Sequence, residues 1–320
     1  MNSTSVAKHI SDQWKNKHLL TLQDFSQDEL MALIDFGLQL KQAQKSGKPH
    51  PILTGKTLAM IFEKPSTRTR VSFETGIFQL GGHALFLGKN DIQMGNGETI
   101  ADTAQVLSRY VDAIMIRTFE HEIVEELATH ASIPIINGLT DDYHPCQVLA
   151  DFMTIYEKKN RLTGLKLAYI GDGNNMANTL LMGCAIMGID CVIASPSGYE
   201  VKAEVLDEAK QLAKATGATL LQTNDPTVAV KDADIVYTDV WASMGFEDEH
   251  ADRLKKFTNY QVNDELVKLA KDDYLFMHCL PANRGEEVAA SVIDGTNSVV
   301  FDEAENRLHI QKAILAAILG

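Results

Sequence analysis

Short apolar runs alternate with longer segments of helical spacing along most of the chain. The runs at 57–62, 83–87, 113–117 and 134–137 are strand-length and rich in Ile, Leu, Met and Ala. Between them, 67–80, 99–110 and 120–131 have the spacing of helices; Val71, Phe73, Ile77, Phe78 and Leu80 carry it in the first of these. The same rhythm resumes at 166–170, 190–194, 219–222, 235–239 and 274–277. Strand, helix, strand is the pattern of a parallel sheet, so the fold class is α/β with two sheets flanked by helices. Ahead of the first sheet, 19–25 is a short apolar approach, and Ser26 with Glu29 makes a capping box for a helix carrying Leu30, Ile34, Leu38 and Leu40.

A helical pattern at 148–157, with Leu149, Phe152, Met153 and Tyr156 on one face, separates the two series. The expected domains are therefore 1–148 and 149–304, joined by that helix. The last apolar segment, 307–319, is a terminal helix, and the expectation is that about 305–320 returns to the first domain.

A length of 320 residues suits two domains, and 45% hydrophobic with 22% charged residues is the make-up of a soluble globular protein. The net charge of −14 argues against a nucleic-acid footprint. It also means that an anionic substrate needs a local arginine cluster to overcome the field of the whole chain. Cys146, Cys184, Cys191 and Cys279 form no CxxC pair, and Cys184 and Cys191 sit among apolar residues, which fits a reducing compartment. The first residues hold no apolar signal core, and no apolar run reaches membrane length. The expected location is the cytoplasm.

The chemistry gathers where the apolar strands end. After the strand at 57–62 come Pro65 and Ser66, a plausible helix start with the serine as N-cap. Ser66, Thr67, Arg68, Thr69 and Arg70 then stand at the positive end of a helix, where amides, hydroxyls and two guanidiniums converge on an anion, phosphate being the best match. An ordinary polar first turn is the alternative, but capping needs no arginines. Arg117 ends the strand at 113–117, Gly171 to Asn175 follow 166–170, Asp239 ends 235–239, and His278-Cys279-Leu280-Pro281 follow 274–277. Ligands of open parallel sheets bind beyond these carboxyl ends.

Each cluster has a plainer reading. Arg117 could be a surface charge, His144 a loop histidine, Asp239 a turn cap and Cys279 core filler. A Cys279–His278 nucleophilic pair is disfavoured, because neighbours on a strand point to opposite faces. Gly171-Asp172-Gly173 lacks the third glycine of a dinucleotide fingerprint, and there is no P-loop lysine, HExxH or GxSxG motif.

Ser66-Thr67-Arg68-Thr69-Arg70, His144-Pro145-Cys146-Gln147 and His278-Cys279-Leu280-Pro281 together resemble the carbamoyltransferase family. Asp239-Val240-Trp241-Ala242-Ser243-Met244-Gly245 resembles its ornithine branch, and the similarity runs from about Leu19 to the C-terminus. The resemblance implies transfer of a carbamoyl group from carbamoyl phosphate to L-ornithine, giving L-citrulline and phosphate. It implies no metal or organic cofactor, and a homotrimer or an assembly of trimers with interfacial active sites. Carbamoyl phosphate would meet Ser66, Thr67, Arg68 and Thr69 at its phosphate, and Arg117, His144 and Gln147 at its carbamoyl end. Gln93 would reach in from a neighbouring subunit and Arg307 from the terminal helix. Ornithine would meet Asn175, Asp239, Ser243 and Met244, with Cys279 and Leu280 near both substrates, and the loop at 243–249 would close as a lid. Arg117, His144, Asp239 and Cys279 are the expected catalytic group.

One departure from many relatives is Met94-Gly95-Asn96-Gly97, which lacks a basic residue, so weaker electrostatics are expected in the loop that would cross the interface. The rival readings are a transferase for another amine, which Ser243-Met244-Gly245 argues against, a non-catalytic binding or regulatory protein, and a dinucleotide-dependent oxidoreductase.

Overall fold

A computed structural model describes residues 10, 13–95, 97–243, 245 and 247–320. The chain forms two compact units, one of residues up to Met153 with Glu305–Gly320, the other Thr154–Ala304. The division falls inside two helices, α5 (Pro145–Lys159) and α12 (Val300–Leu319).

In the first unit, β1 (Thr57–Phe62), β2 (His83–Gly88), β3 (Ala113–Arg117) and β4 (Ile135–Leu139) form a parallel sheet ordered β2-β1-β3-β4. Every residue of β3 is buried, which is why it reads as an unbroken apolar run. Leu19 adds a parallel bridge to Ile136 beyond β4, so the short apolar approach before the first helix extends the sheet. The helices are α1 (Gln27–Lys45), α2 (Thr67–Gln79), α3 (Ile100–Leu107) and α4 (His121–His130). The capping box of Ser26 and Glu29 opens α1 as the sequence predicts.

Spacing marks α2 as a helix but not all of its buried face. Phe73, Ile77 and Leu80 are buried, whereas Val71 and Phe78 are 55% and 76% exposed. Leu85 on β2, an edge strand, is exposed as well.

The C-terminal helix returns to this unit. Gly37 of α1 makes the close approach possible: a Cβ there would lie 3.1 Å from Met153 Sδ and 3.4 Å from Ile310 Cδ1. Lys41 Nζ donates to Asn306 Oδ1 at 2.8 Å, which gives a buried ammonium a partner across the same seam.

In the second unit, β5 (Lys166–Ile170), β6 (Asp190–Ala194), β7 (Leu220–Thr223), β8 (Ile235–Thr238) and β9 (Leu275–Met277) form a parallel sheet ordered β7-β6-β5-β8-β9. Its helices include α6 (Asn175–Met187), α7 (Ala203–Ala213), α8 (Pro226–Val230), α9 (His250–Phe257), α10 (Asp264–Val267) and α11 (Ala290–Ile293). No helix among the described residues is long and apolar enough to cross a membrane.

Candidate active site

Each sheet has one place where its strand order reverses. In the first, the chain leaves β1 toward β2 but leaves β3 toward β4, so the reversal lies between β1 and β3. In the second it lies between β5 and β8. Crevices for ligands open beyond the carboxyl ends of strands at such points. Ser66 and Arg117 stand at the first, Asn174 and Asp239 at the second.

In the first unit, Ser66 caps α2 from an extended backbone, its Oγ accepting from the Thr69 N–H at 3.2 Å. Thr67 is exposed and Arg68 half-buried at the positive end of the helix. Arg70 does not join them. It lies about 200° round the helix from Arg68, where its Nε donates to Glu74 Oε2 at 3.3 Å and its guanidinium stacks on Phe86 at 3.7 Å. The second guanidinium of the cluster is Arg307 of α12. Its Nη1 donates to Gln147 Oε1 at 2.5 Å and its Nη2 to Thr69 Oγ1 at 3.1 Å. Ser66 Oγ also donates to Thr69 Oγ1, at 3.1 Å. With two donors on its oxygen, Thr69 must direct its own proton elsewhere. Gln147 Nε2 donates to Asp151 Oδ1 at 2.8 Å, which fixes the orientation of that amide.

Arg117 is aimed by a register shift. Ile116 pairs with Asn137 but Arg117 with Leu139, so Gly138 is skipped. A Cβ at Gly138 would lie 2.5 Å from Met115 Sδ, hence the glycine. The Arg117 carbonyl accepts from Glu63 N–H at 2.9 Å, and Thr118 hydrogen-bonds Glu63 while Lys64 pairs with Asp141. These links tie the segments after β1, β3 and β4 together. His144 is buried just before Pro145, which opens α5 at a position where a missing N–H is no loss. Burial, then the positive fields of Arg307, Arg117 and Arg68, hold its imidazole well below the ordinary histidine range, so it is neutral at pH 7. The neighbouring Cys146 thiol is pushed up to about 12 by burial, which leaves it unreactive. Gln93 is exposed in the loop after β2, and no hydrogen bond joins it to this cluster among the described residues.

In the second unit, Asp239 is buried and accepts three donors: Val240 N–H at 2.8 Å and Cys279 Sγ at 3.1 Å on Oδ1, and Asn174 Nδ2 at 3.0 Å on Oδ2. Asn175, half-buried, is the first residue of α6, and Ser243 is half-buried in the loop after β8. Met244 lies outside the described residues. Gly173 explains the glycines after β5 without a dinucleotide: a Cβ there would lie 2.4 Å from the backbone of Glu200 and Val201. Leu280 takes a left-handed φ of 57° and is followed by a cis bond to Pro281.

His278 and Cys279 lie just past the end of β9, where strand alternation no longer separates them, and an imidazole nitrogen comes within 4.8 Å of the thiol. The His278 Nδ1 accepts the Leu280 N–H at 2.9 Å, so Nε2 carries the proton toward Glu287 Oε1 at 3.2 Å. Asp239, His278 and Cys279 offer ligand atoms within 4.8 Å of one another. With both ring nitrogens engaged, His278 has no lone pair to give a metal in this arrangement.

Sequence reasoning missed two groups. Asn174 precedes a helix, which is a capping signal; its contact with Asp239 is tertiary. Arg253 of α9 donates to Asp172 Oδ2 at 2.6 Å, Trp241 O at 2.7 Å and Glu249 Oε2 at 2.9 Å. Glu249, four residues before it, is a local partner; the contacts with Asp172 and Trp241 are not signalled locally.

The aspartate/ornithine carbamoyltransferase carbamoyl-P binding domain matches residues 17–157, and the Asp/Orn binding domain of the same family matches 163–318. The chain is 62% identical to the ornithine carbamoyltransferase of Anoxybacillus flavithermus over 307 residues, 96% of this chain and 98% of that protein. It is 62% identical to that of Bacillus subtilis over 303 residues, 95% and 94% of the two chains. The ornithine carbamoyltransferase structure from Pyrococcus furiosus superposes with a TM-score of 0.93 at 56% identity, covering 96% of this chain and 98% of that one. Two matched domains and this identity over nearly the full length place the chain in the aspartate/ornithine carbamoyltransferase family.

Proposed function

We propose that the chain transfers the carbamoyl group of carbamoyl phosphate to the side-chain amine of L-ornithine, giving L-citrulline and phosphate, in arginine metabolism. The observation that carries the reading is the convergence of Arg68, Arg117 and Arg307 on a neutral, buried His144 beside a helix N-terminus. A protein with a net charge of −14 concentrates positive charge there and leaves one histidine unprotonated among it.

The first unit takes carbamoyl phosphate. Ser66, Thr67, Arg68 and Thr69 hold the phosphate and make it a better leaving group. Arg117, the Thr69 hydroxyl and neutral His144 stabilise the carbonyl oxygen as it gains charge; one such donor is commonly worth about 3 kcal/mol. Gln147, held by Arg307 and Asp151, supports the carbamoyl amide. The second unit takes ornithine, with Asn175 at the α-carboxylate, Asp239 and Ser243 at the α-amino group, and Met244 as a further ornithine contact. Asp239 and Cys279 orient the attacking end as it loses its proton; an amine of this type has a pKa of about 10.4. The ammonium first gives one proton to solvent; the neutral nitrogen then bonds to the carbonyl carbon, the bond to the phosphate oxygen breaks, and the departing phosphate accepts the second proton from that nitrogen. Reaction needs the nitrogen and carbon within about 3–3.5 Å. Leu280 borders the carbamoyl site.

The assembly is a homotrimer, or trimers assembled further, in the cytoplasm. Exposed Val71, Phe78 and Leu85 on α2 and the edge strand support a subunit contact there, with Gln93 offered to a neighbouring site. Calorimetry of Arg68→Gly tests the phosphate assignment. The variant is expected to fold and to lose carbamoyl phosphate binding; unchanged binding refutes it.

A further inference from the structure

The side-chain amide of Asn174 is held in one orientation from three sides. Its Oδ1 accepts from the Met176 N–H at 3.0 Å, the Ala177 N–H at 3.2 Å and the Tyr169 hydroxyl at 3.2 Å. Turning the amide over would set its NH2 against two backbone N–H donors, so the flip is closed to it. The nitrogen therefore points at Asp239 Oδ2, 3.0 Å away. Tyr169 is fully buried between strands, and its hydroxyl is kept protonated, chiefly by burial and then by the Asp239 charge. The two backbone N–H groups can only donate, so they fix the direction of the chain Tyr169, Asn174, Asp239, and the phenol follows as a donor.

We propose that Asn174 is a positioning residue for the amino-acid substrate. It occupies one oxygen of Asp239 and turns the carboxylate so that its remaining lone pairs meet the substrate's amino group. The inference rests on the reading of Asp239 as an ornithine contact.

The cap and the positioning role can be separated by substitution. Serine and aspartate both cap helices well. Asn174→Ser keeps the cap and deletes the donor; Asn174→Asp keeps the cap and sets a second carboxylate against Asp239. The serine variant is expected to melt close to the wild type, and the aspartate variant lower. In initial-rate kinetics, the KM for ornithine is expected to rise about tenfold in the serine variant and further in the aspartate variant. The KM for carbamoyl phosphate is expected to stay put, and kcat to fall less than the ornithine KM rises. An unchanged ornithine KM in both variants, or equal changes for both substrates, overturns the proposal. Asp239→Asn separates the two readings. If it raises the ornithine KM while the Asn174 variants do not, Asn174 alone is misassigned. If it leaves that KM unmoved, the assignment of Asp239 fails and takes this one with it.

Discussion

Cys279 shows how far one side chain's surroundings restrict its chemistry. Its thiol donates to Asp239, a carboxylate shared with Val240 and Asn174, and the adjacent imidazole is committed to Leu280 and Glu287, so no histidine is placed to activate it as a nucleophile. Cys279→Ala is therefore expected to keep measurable turnover in a citrulline assay. Complete loss in a folded variant would point to a covalent thiol instead. Gly173 is restricted by space. A methyl group there would overlap the backbone of Glu200 and Val201, which cannot move aside as a side chain can. Gly173→Ala is expected to destabilise by about 2 kcal/mol or more, read as a lower Tm. Gly171-Asp172-Gly173 looked like half a nucleotide fingerprint because close approach to phosphate and close approach to backbone both demand a missing Cβ. Sequence shows the glycine; only the fold shows what approaches it.

At the level of elements, α9 is held by one buried arginine. Arg253 reaches Asp172 in the turn after β5, the carbonyl of Trp241 and Glu249, and lies 4.9 Å from the Tyr199 ring centre. It fastens the far end of the loop at 240–249 to the turn that carries Asn174 and Asn175. Burial raises the Asp172 carboxyl pKa even against this guanidinium. Removing the arginine would leave a half-buried carboxylate with its main partner gone, which costs less than the roughly 3–5 kcal/mol of a fully buried pair. Arg253→Met is expected to lower denaturant stability more than the double variant Asp172→Asn with Arg253→Met. Equal losses would show that Asp172 does not depend on the pair. The strand series was legible in advance to within about two residues because most strands are buried apolar runs, but helix ends were not: the terminal helix starts at Val300 rather than 307, the connecting helix at Pro145 rather than 148, and α3 stops at Leu107 rather than 110. Arg70 was misplaced because a list of arginines does not say which side of a helix each one leaves.

For the molecule as a whole, several histidines are held neutral by burial. His18, His121, His144 and His309 all lie below the ordinary value of 6.5, His309 at about 4. Below pH 6.5 the unfolded chain takes up protons that the folded chain refuses. The unfolded state then binds more protons, so stability rises with pH and falls as the solution is acidified. Tm is expected to drop progressively from about pH 6.5 toward 4, and less steeply in His309→Asn. A flat Tm across that window would contradict it. The exposed apolar residues of α2 and β2 carry a separate expectation. A solution mass of three chains or a multiple of three fits the proposed assembly; a monomer that turns over at full rate would remove the need for Gln93 from a neighbour.

Local sequence determined the strands, the caps at Ser26 and Ser66, the parallel sheets and the strand ends where polar groups collect, because each depends on spacing of a few residues or on burial of a strand. The motifs after those strands were enough to mark the family. Tertiary structure decided the rest. It brought Arg307 to Thr69 and Gln147, supplied the second guanidinium that Arg70 was expected to provide, and set Asn174 against Asp239. It also decided the charge state of His144, since that follows from burial and from arginines 27 to 163 positions away along the chain. Such contacts leave no period and no neighbouring residue in the sequence to signal them. They exist only once strand order has reversed and the terminal helix has come back.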